Sequence, residues 1–176
     1  MNQLMRYSKV AVVLHWLIAS LIFAQITLGL WMITLPKSPP GLRASWFNLH
    51  KSLGITLGIL ILLRIIWRLK NKPPEFPYMF SRSQMMLAKL GHFLLYVCMV
   101  AMPVSGFLGS SFSKYPIQFF DHALPRLFEP DNQLKDIFSE IHFYSLWLLI
   151  GLIVIHISAL VKHAIIDRTN LLQRMR

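Results

Sequence analysis

Four long runs of apolar residues, each broken by few or no charges, dominate the chain. They extend over about residues 10–33, 46–67, 88–112 and 141–163. Crossing about 30 Å of hydrocarbon at about 1.5 Å per helical residue takes roughly 20 such residues, so each run predicts a membrane-spanning helix. The first has no formal charge between Lys9 and Lys37, and the third and fourth are free of charge from Leu90 to Phe112 and from Ile141 to Val161. The second carries His50 and Lys51 near one end and Arg64 near the other, where long side chains can snorkel towards water. Pro36, Pro39, Pro40 and Gly41 punctuate the first connection, and Pro73, Pro74 and Pro77 the second, with Ser81 and Ser83 available as helix caps. The longer third connection is read with a short interfacial helix from about Pro116 to Phe128. The pattern predicts an all-α integral membrane protein, an antiparallel four-helix bundle forming one unit over residues 1–176.

Composition and charge sharpen this. Hydrophobic residues make up 55% of the chain and charged ones only 14%, which suits a bilayer better than water as solvent. The net charge of +11 is not spread evenly. Arg6, Lys9, Arg64, Arg68, Lys70, Lys72, Arg82, Lys89, Lys162, Arg168, Arg174 and Arg176 fall on the side of the termini; Lys37, Arg43, Lys51, Lys114, Arg126 and Lys135 fall on the other. This positive-inside bias places both termini in the cytoplasm. Anionic lipid headgroups are sufficient partners for the basic excess, and no nucleic acid is needed to explain it. The N-terminal segment has a basic start and an apolar run, as a signal peptide does. It is read as retained, because the run exceeds a signal core and contains His15 and Trp16. Cys98 stands alone, so there is no intrachain disulfide, paired-cysteine zinc motif or Cys-x-x-Cys-His haem attachment.

The histidines are the chemistry-bearing residues, because an intramembrane histidine must be paired, hydrated or ligating. His15 and His156 share the depth nearer the termini, and His50 and His142 share the opposite depth. His142 and His156 are fourteen residues apart, about 21 Å of rise and within roughly 40° of the same azimuth, so both face the interior. The bundle then holds two stacked pairs of imidazoles, the arrangement that bis-histidine haem requires. For one membrane histidine alone, a hydrogen bond between helices or a headgroup contact is as good an explanation. A zinc or proton transport site is a further alternative, but the spans hold no Asp or Glu to complete a four-ligand cluster. His92 lies at the depth of His15 and His156 and could replace either; otherwise it and Tyr96, one turn on, could contact a propionate or a quinone carbonyl. Arg64, Arg68 and Lys51 could pair with propionates. Gly29, Gly54, Gly58, Gly91, Gly106 and Gly151 let a flat macrocycle or another helix approach. His163 is placed in the headgroup layer and His122 in a solvated loop.

Arg6-Tyr7-Ser8 with His15-Trp16, His50-Lys51-Ser52-Leu53-Gly54 with Arg64 and Trp67-Arg68, His92 with Tyr96, Pro103 with Ser105-Gly106, His142, and the ending His156, His163, Asp167, Leu171, Arg174-Met175 together resemble the bacterial cytochrome b561 family. The resemblance covers essentially the whole chain. It implies a cytochrome b of the bacterial inner membrane with two non-covalent b haems, His50 and His142 being the axial ligands on the periplasmic side and His15 and His156 those on the cytoplasmic side. It also implies electron exchange with ubiquinone, and further an oxidoreductase that takes electrons from superoxide. Lys37, Arg43 and Lys51, near His50 on the outer side, form a positive patch suited to steering a small anion. A protein partner is possible but not required. Two other readings stand beside this one: a cytochrome b subunit serving a partner dehydrogenase, and a haem-free metal or proton transporter.

Overall fold

A computed structural model describes residues 6–37, 41–76 and 80–176. Four helices account for most of them: α1 (Lys9–Met32), α2 (Leu42–Lys70), α3 (Arg82–Ser111) and α4 (Asn132–Ile165), each long and apolar enough to cross a membrane. Local signals in the sequence set their starts. Ser8 caps α1, accepting from the Ala11 N–H, and Asp131 caps α4, accepting from the Leu134 N–H. Ser81 and Gln84 form a reciprocal capping box at the start of α3. Gly41, at φ 127°, turns the chain into α2 in a conformation that side-chain-bearing residues avoid. Pro39, Pro40 and Pro77 lie outside the described residues.

Three helices begin earlier than their apolar runs, α2 at Leu42, α3 at Arg82 and α4 at Asn132. The 34 residues of α4 span about 51 Å, well beyond the hydrocarbon, so its first turns carry Lys135, Asp136 and Glu140 into the headgroup region or water. The interfacial helix expected over Pro116–Phe128 is not formed. Gln118–Phe119 (β1) and His122–Ala123 (β2) pair as a small antiparallel hairpin, with Phe120 at φ 52° in its turn. The backbone groups that a helix would use are engaged elsewhere: the Phe120 N–H donates to Ser52 Oγ (2.6 Å) and the Leu124 N–H to the Ile117 carbonyl (2.8 Å). Asn48 Nδ2 donates to Gln118 Oε1 at 2.6 Å, so the hairpin is pinned to α2.

Consecutive helices pack on one another, α1 on α2, α2 on α3 and α3 on α4. The buried core is a thin slab at mid-height: Ile18 and Ile22 from α1, Leu57 and Ile61 from α2, Cys98 from α3, Leu149 and Leu152 from α4. Elsewhere large apolar side chains such as Phe23, Leu62, Phe93 and Val154 face outward, as a lipid-facing surface must.

Tyr7, just before α1, meets the C-terminal segment at one end of the bundle, called here the tail end; the other is the hairpin end. At the tail end, the Tyr7 N–H donates to the Arg174 carbonyl (3.0 Å), Trp16 Nε1 to the Met175 carbonyl (3.0 Å) and Trp67 Nε1 to Ser8 Oγ (3.1 Å). Buried Arg174, in a short 3-10 turn at Leu171–Met175, donates to the carbonyls of Pro74 (3.0 Å) and Glu75 (2.5 Å). Just beyond α4, hydrogen bonds from Lys162 and His163 hold the Asp167 carboxyl below the usual carboxylate range. His163 is stacked on Phe80, with ring centres 4.7 Å apart.

Candidate functional site

Each helix carries two special residues fourteen positions apart: His15 and Gly29, His50 and Arg64, His92 and Gly106, His142 and His156. Fourteen residues rise about 21 Å and return to nearly the same face, so each helix presents one residue of its pair at each of two levels. With neighbouring helices antiparallel, Gly29, His50, Gly106 and His142 come to the hairpin-end level. His15, Arg64, His92 and His156 come to the tail-end level. The buried slab, with Leu149 midway between His142 and His156, separates the two.

At the hairpin-end level the His50 and His142 rings face each other, centres 6.3 Å apart and planes at 87°. A Cβ added at Gly29 would lie 3.2 Å from His50 Cε1, and one at Gly106 would lie 3.0 Å from His142 Cε1 and 3.1 Å from its Nδ1. Both rings therefore sit against helix surface that has no side chain. His142 Nδ1 lies 2.9 Å from the Met102 carbonyl, which can only accept, so Nδ1 carries a proton and Nε2 is the nitrogen left to ligate. Ser105 Oγ, 3.2 Å from the same Nδ1, donates its own hydrogen to the Ala101 carbonyl at 2.6 Å. His50 Nδ1 is buried with no hydrogen-bond partner among the described residues, as is Gln25 Oε1.

These residues fit a haem. Two imidazoles holding one metal ion from opposite sides, each nitrogen at about 2 Å, have ring centres roughly 6 Å apart, in line with the separation of His50 and His142. The glycines give each imidazole a bare stretch of backbone to lie against, and the Nδ1 contact of His142 is the hydrogen bond that ligating histidines usually make through their other nitrogen.

The tail-end level is built differently. The His92 and His156 rings are neighbours, centres 5.5 Å apart, whereas the His15 ring packs edge-on against Trp16 at 5.2 Å. His15 is still close enough to interact electrostatically with His156, His92 and Arg64. Three imidazoles thus share this level, as the depth of His92 along the sequence implies, and His92 rather than His15 is the ring next to His156. Tyr96 accepts a hydrogen bond from Arg64 Nε (3.0 Å) and lies under the Arg68 guanidinium, 5.2 Å from its ring centre. Among the described residues, no group of three or more His, Cys, Asp or Glu is arranged to hold a bare metal ion.

The basic residues of the hairpin end are disposed unequally. Lys37 is exposed, and Lys51 is half-buried on α2 beside His50. Arg43 is tied down, its Nη1 donating to the Leu35 carbonyl at 2.9 Å and its guanidinium over the Phe47 ring. His122 is exposed in β2. Sequence reasoning missed Gln25 and the pairing of each hairpin-end histidine with a glycine. The signal was present, since Gln25 and Gly29 share the inward face of His15, and Gly106 that of His92.

A family model described as prokaryotic cytochrome b561 matches residues 6–176. "Cytochrome b561 homolog 2" of Escherichia coli is 31% identical over 175 residues, covering 97% of this chain and 90% of that protein. "Cytochrome b561 homolog 1" of the same organism is 28% identical, covering 97% and 96%. "Probable superoxide oxidase CybB" of Yersinia pestis is 25% identical, covering 97% and 95%.

Proposed function

The chain belongs to the prokaryotic cytochrome b561 family, a family of membrane electron-transfer proteins with b-type haem, and from that premise we propose that it is a di-haem superoxide:ubiquinone oxidoreductase. The apposed, glycine-backed pair His50 and His142 is the observation that carries the reading. These two would hold one haem at the hairpin end, with His15 and His156 holding the second at the tail end. Bound haem supplies one-electron redox chemistry. The net reaction balances as two superoxide anions giving two dioxygen molecules while one ubiquinone takes up two electrons and two protons.

The distribution of Lys and Arg supports a cytoplasmic tail end and a periplasmic hairpin end in the bacterial inner membrane. Lys51 and Lys37 would then draw superoxide towards the level of His50, with Arg43 adding charge. His92, with Arg64 and Tyr96 at the tail-end level, offers hydrogen-bonding groups to a propionate or a quinone carbonyl. The name borne by the Yersinia pestis relative supports superoxide as the donor.

Rapid mixing of the purified holoprotein with superoxide and ubiquinone tests this. Absorbance changes of haem reduction within milliseconds, and one ubiquinol per two superoxide consumed without any protein donor, are expected. The rate should fall with ionic strength, and in Lys51→Gln by about tenfold at low salt. A protein inert to superoxide but reduced by a co-purifying dehydrogenase would be a cytochrome b subunit instead. A colourless, well-folded protein would return the histidines to metal or proton transport.

A further inference from the structure

Two complementary polar atoms are left unpaired where α1 meets α2. Gln25 is 9% exposed, in the middle of an otherwise apolar span. Its Nε2 donates to the His50 carbonyl at 2.9 Å and rests against Gly54, where a Cβ would lie 3.3 Å away. Among the described residues, its buried Oε1 accepts no hydrogen bond and the buried His50 Nδ1 makes none. Both groups border Gly29: Gln25 lies one turn before it on the same face of α1, and His50 Nδ1 is 3.7 Å from the position of its missing Cβ.

An imidazole that ligates through Nε2 carries its proton on Nδ1, and a ligating histidine almost always donates that proton to an acceptor. His142 has the Met102 carbonyl for this purpose. For His50 the acceptor without a donor is Gln25 Oε1, on the side chain whose Nε2 already bonds the His50 carbonyl, and burial makes leaving either group unsatisfied unfavourable. We infer that Gln25 is the positioning residue for His50: its Oε1 accepts from His50 Nδ1, directly or across one water, and fixes the ring for the hairpin-end haem. The inference rests on the proposed ligand role of His50. An acceptor on Nδ1 makes the imidazole a stronger electron donor to iron and so favours the oxidised haem.

The test is a spectroscopic redox titration of the holoprotein with Gln25→Leu, paired with electron paramagnetic resonance of the oxidised haems. Of the two reduction waves, the one lost in His50→Ala is expected to move to higher potential. A change of roughly tenfold in its reduction equilibrium, about 59 mV for one electron, is expected. The resonance of the same haem should shift and the other wave stay in place. Gln25→Glu keeps an acceptor on the same stem and remains informative should the Leu variant not accumulate. Its wave is expected at or below the wild-type potential. Both waves unmoved in Gln25→Leu, or a rise in Gln25→Glu, would reduce Gln25 to a helix-packing role. Two haems retained in His50→Ala would instead overturn the ligand assignment, separately from the role of Gln25.

Discussion

His142→Ala is expected to lose one of two haems while the protein still accumulates in the membrane. The ring sits at 6.3 Å from that of His50, backed by Gly106 and fixed through Nδ1 to Met102. Alanine leaves no group of that reach, and one imidazole alone does not give a bis-histidine site. Losing an outer-shell partner typically costs about 10–100-fold in metal affinity or activity, so losing the ligand should lower superoxide-driven quinone reduction at least about 100-fold. Haem per chain, measured after extraction, checks the first part. His156→Ala should remove the other haem, and His92→Ala should retain both. A haem lost from His92→Ala with full protein recovery would transfer the tail-end ligand role from His15 to His92, which the ring contact with His156 makes a sharp alternative.

Gly106→Val should nearly reproduce the loss of the hairpin-end haem without touching a histidine. A Cβ there meets His142 Cε1 at 3.0 Å and Nδ1 at 3.1 Å, tighter than most real contacts, so the ring must give by a few tenths of an ångström, and the two γ-methyls of valine add to the crowding. The ring cannot simply retreat, because its Nδ1 is engaged with Met102 and Ser105. Overpacking of this kind costs about 1–3 kcal/mol, and a displaced imidazole no longer points at the iron. The measurement is again haem per chain, with Gly151→Val as the control: nothing lies within 4 Å of a Cβ at Gly151, and both haems should remain. Equal haem content in Gly106→Val and wild type would show that this glycine serves only to thin the helix.

The four spans and their order were legible because the bilayer imposes long uncharged runs, and the histidine depths followed from counting residues along them. The helix ends were not, since the absence of charge marks hydrocarbon and says nothing of where a helix such as α4 stops in water. A short helix was expected over Pro116–Phe128, but Ser52, far away in sequence, takes up the Phe120 N–H where a hairpin forms instead. The neighbours of the histidines were the least legible part. That Gly106 lies against His142, Met102 accepts from it and His156 meets His92 depends on the register between α3 and α4, which no pattern within one helix reveals.

The most direct measurement is the dithionite-reduced minus oxidised spectrum of the purified wild-type protein, taken with haem and protein quantified on the same sample. Two non-covalent, low-spin b haems per chain are the expected result. A single haem per chain, or none in well-folded protein, would contradict the two-level arrangement of His50 with His142 and His15 with His156.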